Sequence, residues 1–363
     1  MGFRAAVVVV AFATFLCCAP AWATGATVKG SAPHRTPRPR AHLSVKPTRL
    51  TYLGGRTTIK WSSAHAKRCT LSSSPRLWRG RNPARVKCNG RARLLLPAAD
   101  LPLSWIFTLR ARNAKGRVAV VRRTLVVHEP PFDISHNWSG YVVPSTTPVT
   151  SVSGRFTVPT LNCKHTPNAG QSEWVGIGGA QGSSGDLLQT GVRSDCIGGA
   201  QADHVGWWEE FPENAEIDFK TMSVSPGDAI QASVTQNADA SWTTRLDDLT
   251  TGVSGLMTTG ASYGTAPDSN LTALNVEGST VGLSYAGGNT AEWIVEDFGR
   301  SDGSLVPLAD FGTISFTGLT TSLSSWGLTD EEQVGIGDDF GNLYAAPSEP
   351  DASRFGFSVT YTR

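Results

Sequence analysis

Charge is scarce in this chain, and one sign of it is almost missing from the first third. Asp, Glu, Lys and Arg make up 17% of the 363 residues. Residues 1–131 contain only Asp100 and Glu129 as acids, against 24 of the 32 lysines and arginines. Long apolar runs are missing too beyond Leu16, so the mature chain is expected to be soluble. No helical stripe of apolar residues stands out. There is no HExxH or other zinc pattern, and the histidines of the second part, His136, His165 and His204, stand singly. The Asp-Thr/Ser-Gly motif of an aspartic dyad, the phosphate loop and the dinucleotide fingerprint are absent as well. No metal and no cofactor is expected.

What is present begins with a leader. Arg4, the apolar run Ala5–Leu16 and Ala21-Trp-Ala23 form a charged region, a short hydrophobic region and a small-x-small cleavage site. Residues 1–23 therefore read as a signal peptide, and the protein as secreted. Cys17 and Cys18 would leave with it, and Cys69, Cys88, Cys163 and Cys196 remain. An even number in an exported chain favours disulfides. Of three pairings, Cys69–Cys88 with Cys163–Cys196 keeps each bridge inside one candidate domain.

The formal net charge of +2 hides a division, because residues 132–363 carry 8 basic against 28 acidic side chains. A basic half invites a nucleic-acid reading, but no groove-reading helix motif is present and the destination is extracellular. An association of the two halves within the chain is expected instead. Residues 24–41, with His34-Arg-Thr-Pro-Arg-Pro-Arg40, read as a basic, Pro-rich linker. Residues 42–129 alternate as strands around turns at Gly54-Gly55 and Asn113–Gly116. With Trp61, Cys69 and Cys88 they resemble a bacterial immunoglobulin-like module, which implies an architecture and no activity. Glu129-Pro-Pro-Phe132 is a stiff junction, and residues 132–363 read as a second domain.

That second part is almost all strand and turn. Strands are expected over 151–158, 172–178, 186–193, 204–211, 217–224, 228–236, 240–248, 278–285, 291–298, 305–317 and 354–362. So many strands fit two antiparallel sheets packed face to face. In Thr290–Phe298 apolar residues alternate with acids at the period of a strand, so Glu292, Ile294, Glu296 and Phe298 share one face. Trp207, Glu209 and Phe211 share a face of Gly206–Pro212, and Gln189 shares one with Leu187 and Gly191. Aromatic walls with a few placed polar groups describe a cleft.

Six blocks in order, Trp174-Val-Gly-Ile177, Leu188-Gln-Thr-Gly-Val192, Trp208-Glu-Glu-Phe-Pro212, Leu249-Thr-Thr-Gly252, Ala291–Phe298 and Ala309-Asp-Phe311, resemble those of the glutamic peptidases, the eqolisins. The resemblance covers about residues 135–320. It implies an acid-active endopeptidase on a concanavalin-like two-sheet sandwich, with a Gln/Glu dyad in the concave cleft. By position the dyad is Gln189 and Glu292, with Trp174 and Glu209 lining the cleft and Glu296 as a supporting carboxylate. The residue types suit the chemistry: a Glu carboxylate takes and returns a proton, and a Gln amide donates to an oxyanion without titrating. Two positions depart from the family's fungal pattern, Gly178 and Arg193 standing where Asp is usual. Asp186, Asp195 and Asp203 are the candidates to compensate.

Two other readings compete. A glycoside hydrolase would use Glu209 and Glu292 as paired carboxyls in an aromatic groove. A lectin-like module would need no catalyst. The peptidase reading expects polypeptide substrates, a monomer, and inhibition by the basic N-terminal half docking on the acidic half near neutral pH; family members with basic prosegments support that only by resemblance.

Overall fold

The computed structural model describes residues 36–99, 103–180, 186–212, 214–258, 285–300 and 303–363. The segment read as a signal peptide, most of the expected linker and nearly all of the strand expected at 278–285 lie outside the described residues.

The basic part contains β1 (Arg40–Lys46), β2 (Arg49–Leu50), β3 (Gly55–Ala64), β4 (Arg68–Ser74), β5 (Ala84–Val86), β6 (Gly90–Leu96), β7 (Leu103–Arg112) and β8 (Val118–Val127). They form two sheets, β1-β3-β6 and β2-β8-β7-β4-β5. The inward residues of each strand close one core, with Leu43, Val45 and Ile59 against Leu71, Phe107, Leu109 and Leu125. Burial of these alternate side chains is the main stabilising term for so small a unit. The Cys69–Cys88 disulfide joins β4 to the segment after β5.

The acidic part contains β9 (Asp133–Ser135), β10 (Trp138–Val149), β11 (Ser151–Thr157), β12 (Ala169–Gly178), β13 (Leu187–Ile197), β14 (Ala200–Phe211), β15 (Asn214–Ser223) and β16 (Ala229–Gln236). It continues with β17 (Trp242–Asp248), β18 (Ser254–Thr258), β19 (Gly288–Glu296), β20 (Thr313–Thr321), β21 (Gln333–Gly337), β22 (Leu343–Pro347) and β23 (Phe357–Tyr361). Hydrogen bonding runs in one path, β15-β14-β13-β12-β19-β10-β21-β22-β23-β20-β11-β16-β17-β18, with β9 added beside β21. That path folds over on itself. The first seven strands form one layer and the last five form the other, with β22 and β23 at the turn between them. The expected two-sheet sandwich is therefore one ribbon of strands closed along an edge. All its pairings are antiparallel except that of β9 with β21.

Between the layers lie Trp208, Trp293, Phe316, Leu246 and Val234, all fully buried. Close approach is set by a glycine: a Cβ on Gly154 of β11 would stand 2.8 Å from the Trp293 ring. The Trp293 indole N–H donates to the Ser153 carbonyl at 2.9 Å, tying the two layers together. The Cys163–Cys196 bridge fastens the loop before β12 to the end of β13, as the pairing argument expected.

The sequence pattern missed β9, β10, β18, β21 and β22 and set β20 too early. Pro144 and Pro148 mask β10, and the ladder tolerates them because its register slips between Pro144 and Val149. β21 and β22 are five-residue strands rich in Gly and Ala, too short for a period to emerge.

The two parts meet through an apolar contact of Tyr52 and Ala98 with Phe132, Leu343 and Ala346. Tyr52 and Phe132 pack edge to face at 5.2 Å. Among the described residues no ion pair joins the basic part to the acidic part.

Candidate active site

The outer face of the first layer forms the floor of a cleft of about 1730 Å³. Its side chains come from alternate positions of β10, β12, β13, β14 and β19, the period of two sending the other set into the core. The strand registers arrange them in cross-strand rows. One row runs Glu209, Gln189, Gly176, Glu292 and Val142. The next runs Trp207, Gly191, Trp174, Ile294 and Gly140. A third runs Arg193, Ser172, Glu296 and Trp138.

The first row decides how the acids relate. Gly176 has no side chain, so no β12 side chain stands between Gln189 and Glu292, and neighbouring side chains close over it. A Cβ on Gly176 would lie 2.9 Å from Leu187 Cδ1, 2.9 Å from Trp174 Cζ3 and 3.2 Å from Gln189 Cβ. On the far side of Gln189, its Nε2 donates to Glu209 Oε2 at 2.6 Å. An amide nitrogen carries two protons, so this bond fixes the amide and leaves the second N–H free to donate.

Beside the row, on the same face, lies an apolar cluster of Trp174, Leu187, Trp207 and Ile294, with Trp138, Val142 and Val334 packed against it. Trp174 belongs to that cluster and is fully buried. It supports the site, because its Nε1 donates to Glu296 Oε2 at 2.7 Å. Asn137 Nδ2 holds the other oxygen, Glu296 Oε1, at 2.9 Å. Ser172 Oγ accepts from Trp207 Nε1 at 3.0 Å and fixes the second tryptophan.

Gln189, Trp207, Glu209, Phe211 and Glu296 all line the cleft. Glu292 is fully buried and does not itself line the cleft, unlike its neighbours Gln189 and Thr290. Neither Glu292 oxygen accepts a hydrogen bond from the described residues. Burial raises the Glu292 pKa well above the ordinary carboxyl value; the nearby Thr290 hydroxyl opposes this but stands outside hydrogen-bonding geometry. Burial also raises Glu209, against the opposing hydrogen bond from Gln189. Glu296 is pushed up to about 7, chiefly by burial, with the Trp174 bond pulling down and the Glu209 charge pushing up. Three neighbouring carboxyls are thus biased toward the neutral acid.

The two departures from the expected pattern have structural correlates. Gly178 has φ +95°, and a Cβ there would collide with the Asp186 carbonyl oxygen, so an aspartate does not fit this backbone. Arg193 lies in the cleft, paired to Asp195 at 3.1 Å, to Asp218 at 3.6 Å and to Glu216. Of the candidate compensating acids, Asp195 is the one seen in this cluster. The sequence pattern gave no role to Asn137, Trp138, Ser172 and Thr290; strand pairing brings the first three to the site, while Thr290 stands two residues before Glu292 on the same strand. The sequence also holds one serine-elbow spacing, Gly260-Ala-Ser-Tyr-Gly264, outside the described residues.

The Peptidase A4 family matches residues 136–339, which contain every element of this cleft floor. The chain belongs to that family. Aspergillopepsin-2 of Aspergillus niger is 32% identical over 249 residues, covering 63% of this chain and 78% of that protein. Scytalidopepsin B of Scytalidium lignicola is 29% identical over 240 residues, covering 64% and 79%. Among solved structures, scytalido-glutamic peptidase with a transition-state analog inhibitor is 24% identical, covers 62% of this chain and 98% of its own, and has a TM-score of 0.46. Aspergilloglutamic peptidase from Aspergillus niger is 31% identical, covers 53% and 99%, and has a TM-score of 0.39. As a glutamic peptidase, the chain acts on polypeptides.

Proposed function

We propose that this peptidase is exported and cuts internal peptide bonds in acid, with Glu292 as the proton acceptor and donor and Gln189 as the oxyanion donor. The single observation behind this assignment is the row in which Gln189 and Glu292 face each other across Gly176. Water attacks the scissile carbonyl carbon and gives a proton to the Glu292 carboxylate. The carbonyl electrons move to oxygen, where the free Gln189 N–H receives the developing charge. Glu292 then returns the proton to the amide nitrogen as the carbon–nitrogen bond breaks. Burial makes Glu292 a stronger base when ionised and also lowers the ionised fraction in acid. The rate is expected to follow that fraction.

Glu209 has the task of holding the Gln189 amide. Gln189 stands between Glu209 and Glu292 in the row, which leaves no facing gap for a glycosidase pair, and a non-catalytic module gives the Gln189–Glu209 bond no purpose. Residues 42–129 are proposed as an immunoglobulin-like accessory unit. In this arrangement they do not cover the cleft, whose described lining starts at Asp133. Inhibition by that unit would require a different docking.

The experiment is digestion of a denatured protein at about pH 3–5, where ordinary carboxyls titrate. Fragments ending at internal bonds, released by the wild type and not by Glu292→Gln, are expected. Release of reducing sugar from a β-glucan without peptide cleavage would overturn the proposal.

A further inference from the structure

The outer face of the five-stranded sheet in the basic part has no role in peptide cleavage. Its composition follows from register. One cross-strand row runs Arg85, Thr70, Arg110 and Val120, another Arg68, Arg112 and Val118, and a third Ser72, Thr108 and Arg122. All five arginines are exposed, while the alternate residues of the same strands fill the core. Arg68 stands directly opposite Arg112, a like-charge pairing that weakens a sheet unless something compensates it. No acid of the same unit does so among the described residues: residues 36–99 and 103–128 contain no Asp or Glu. Among the described residues none of the five arginines takes part in an ion pair.

We propose that this face docks a linear anionic polysaccharide and so tethers the peptidase to it. The charged groups are all guanidinium, whose planar fork pairs with carboxylate or sulfate through two parallel hydrogen bonds. Between them stand Thr70, Ser72 and Thr108, whose hydroxyls match those of a sugar chain in hydrogen-bonding capacity. The three rows hold no aromatic residue on which a base would stack and no helix that would enter a groove, which disfavours nucleic acid. They also lack the tryptophan or tyrosine anchors of a membrane-surface element. The cleft belongs to the other, acidic part of the chain, so an occupied sheet face leaves it open.

The test uses the full chain and polygalacturonate at about 50 mM salt, where charge screening is modest. The triple variant Arg110→Ser, Arg112→Ser, Arg122→Ser is expected to lose binding about tenfold or more, since each arginine contact is charge-assisted. The control Lys60→Ser, Arg91→Ser, Arg93→Ser removes as many charges from the opposite sheet and is expected to lose much less. Fully methyl-esterified polygalacturonate, which keeps the sugar and loses the charge, is expected not to compete with binding to wild-type protein. Equal losses in both triple variants would overturn the proposal. So would competition by the methyl ester, or by duplex DNA or anionic vesicles as effectively as by free polygalacturonate. The competition arms use wild-type protein and decide the matter even if a variant fails to fold.

Discussion

Gln189 and Glu292 occupy the same cross-strand row on either side of Gly176, two strand spacings apart. At about 4.8 Å per spacing their Cα atoms are separated by roughly 10 Å. That is room for two side chains of this length to flank a scissile bond. The apolar cluster of Trp174, Leu187, Trp207 and Ile294 packs beside the row on the same face.

Gly176 should be as sensitive as the dyad itself. A Cβ there meets Leu187, Trp174 and Gln189 at once, so these side chains must shift to admit it. Gly176→Ala is expected to lower kcat/KM about a hundredfold, as a misplacement near 1 Å does, with stability changing much less. Activity within a factor of about three of the wild type would show that the row is not the reacting geometry.

Much of this site was legible in the sequence, and the illegible part has a common cause. The alternation in Thr290–Phe298 placed Glu292, Ile294 and Glu296 on one face, and the strands keep it. Gln189 and Glu209, given by the resemblance, and Trp207 and Phe211, given by the strand period, all line the cleft. Trp174 was expected on the cleft surface and is fully buried, because its ring packs over Gly176 of its own strand and clusters with Leu187, Trp207 and Ile294. Asn137 and Ser172 carried no signal at all. Their roles come from pairings between strands distant in sequence, which no local period encodes.

A second buried acid, Glu173, ties stability to pH. It points into the sandwich core beside Val192 and Val295, fully buried, and its oxygens accept no hydrogen bond from the described residues. Burial raises its pKa well above the ordinary value. Below the unfolded value, about 4.3, both states are protonated and the folded state bears no penalty. As pH rises past that value the unfolded chain ionises first, and stability falls until the folded-state pKa is reached. Glu296 and Asp297, both pushed up to about 7 by burial, add to the loss in the same window. Urea unfolding is expected to show falling stability from about pH 4 to pH 7, with Glu173→Gln recovering about 1 kcal/mol or more at the upper end. An unchanged slope in Glu173→Gln would remove this residue from the account.

Trp174 offers a test of the support beside the row. Its Nε1 bond favours the charged form of Glu296 and holds its pKa down against burial. Trp174→Phe keeps the ring and deletes the donor, so Glu296 is expected to titrate above about 7. Carboxyl ¹³C shifts followed against pH would report this directly, and a downward shift would mean that the indole does not serve that carboxylate.

The measurement that bears most directly on the central claim is kcat/KM against pH for the wild type, Glu292→Gln and Gln189→Ala. The wild-type rate should fall on the acid side through a group titrating above the ordinary Glu value of about 4.3, because only ionised Glu292 accepts the proton from water. Glu292→Gln should lose about a thousandfold or more at every pH, as expected for a lost proton-transfer group. Gln189→Ala should lose about 10²–10³-fold, as for one missing oxyanion donor, while keeping that acid limb. Substantial activity in Glu292→Gln, with the loss appearing in Glu296→Gln instead, would contradict the account and move the base four residues along the same strand.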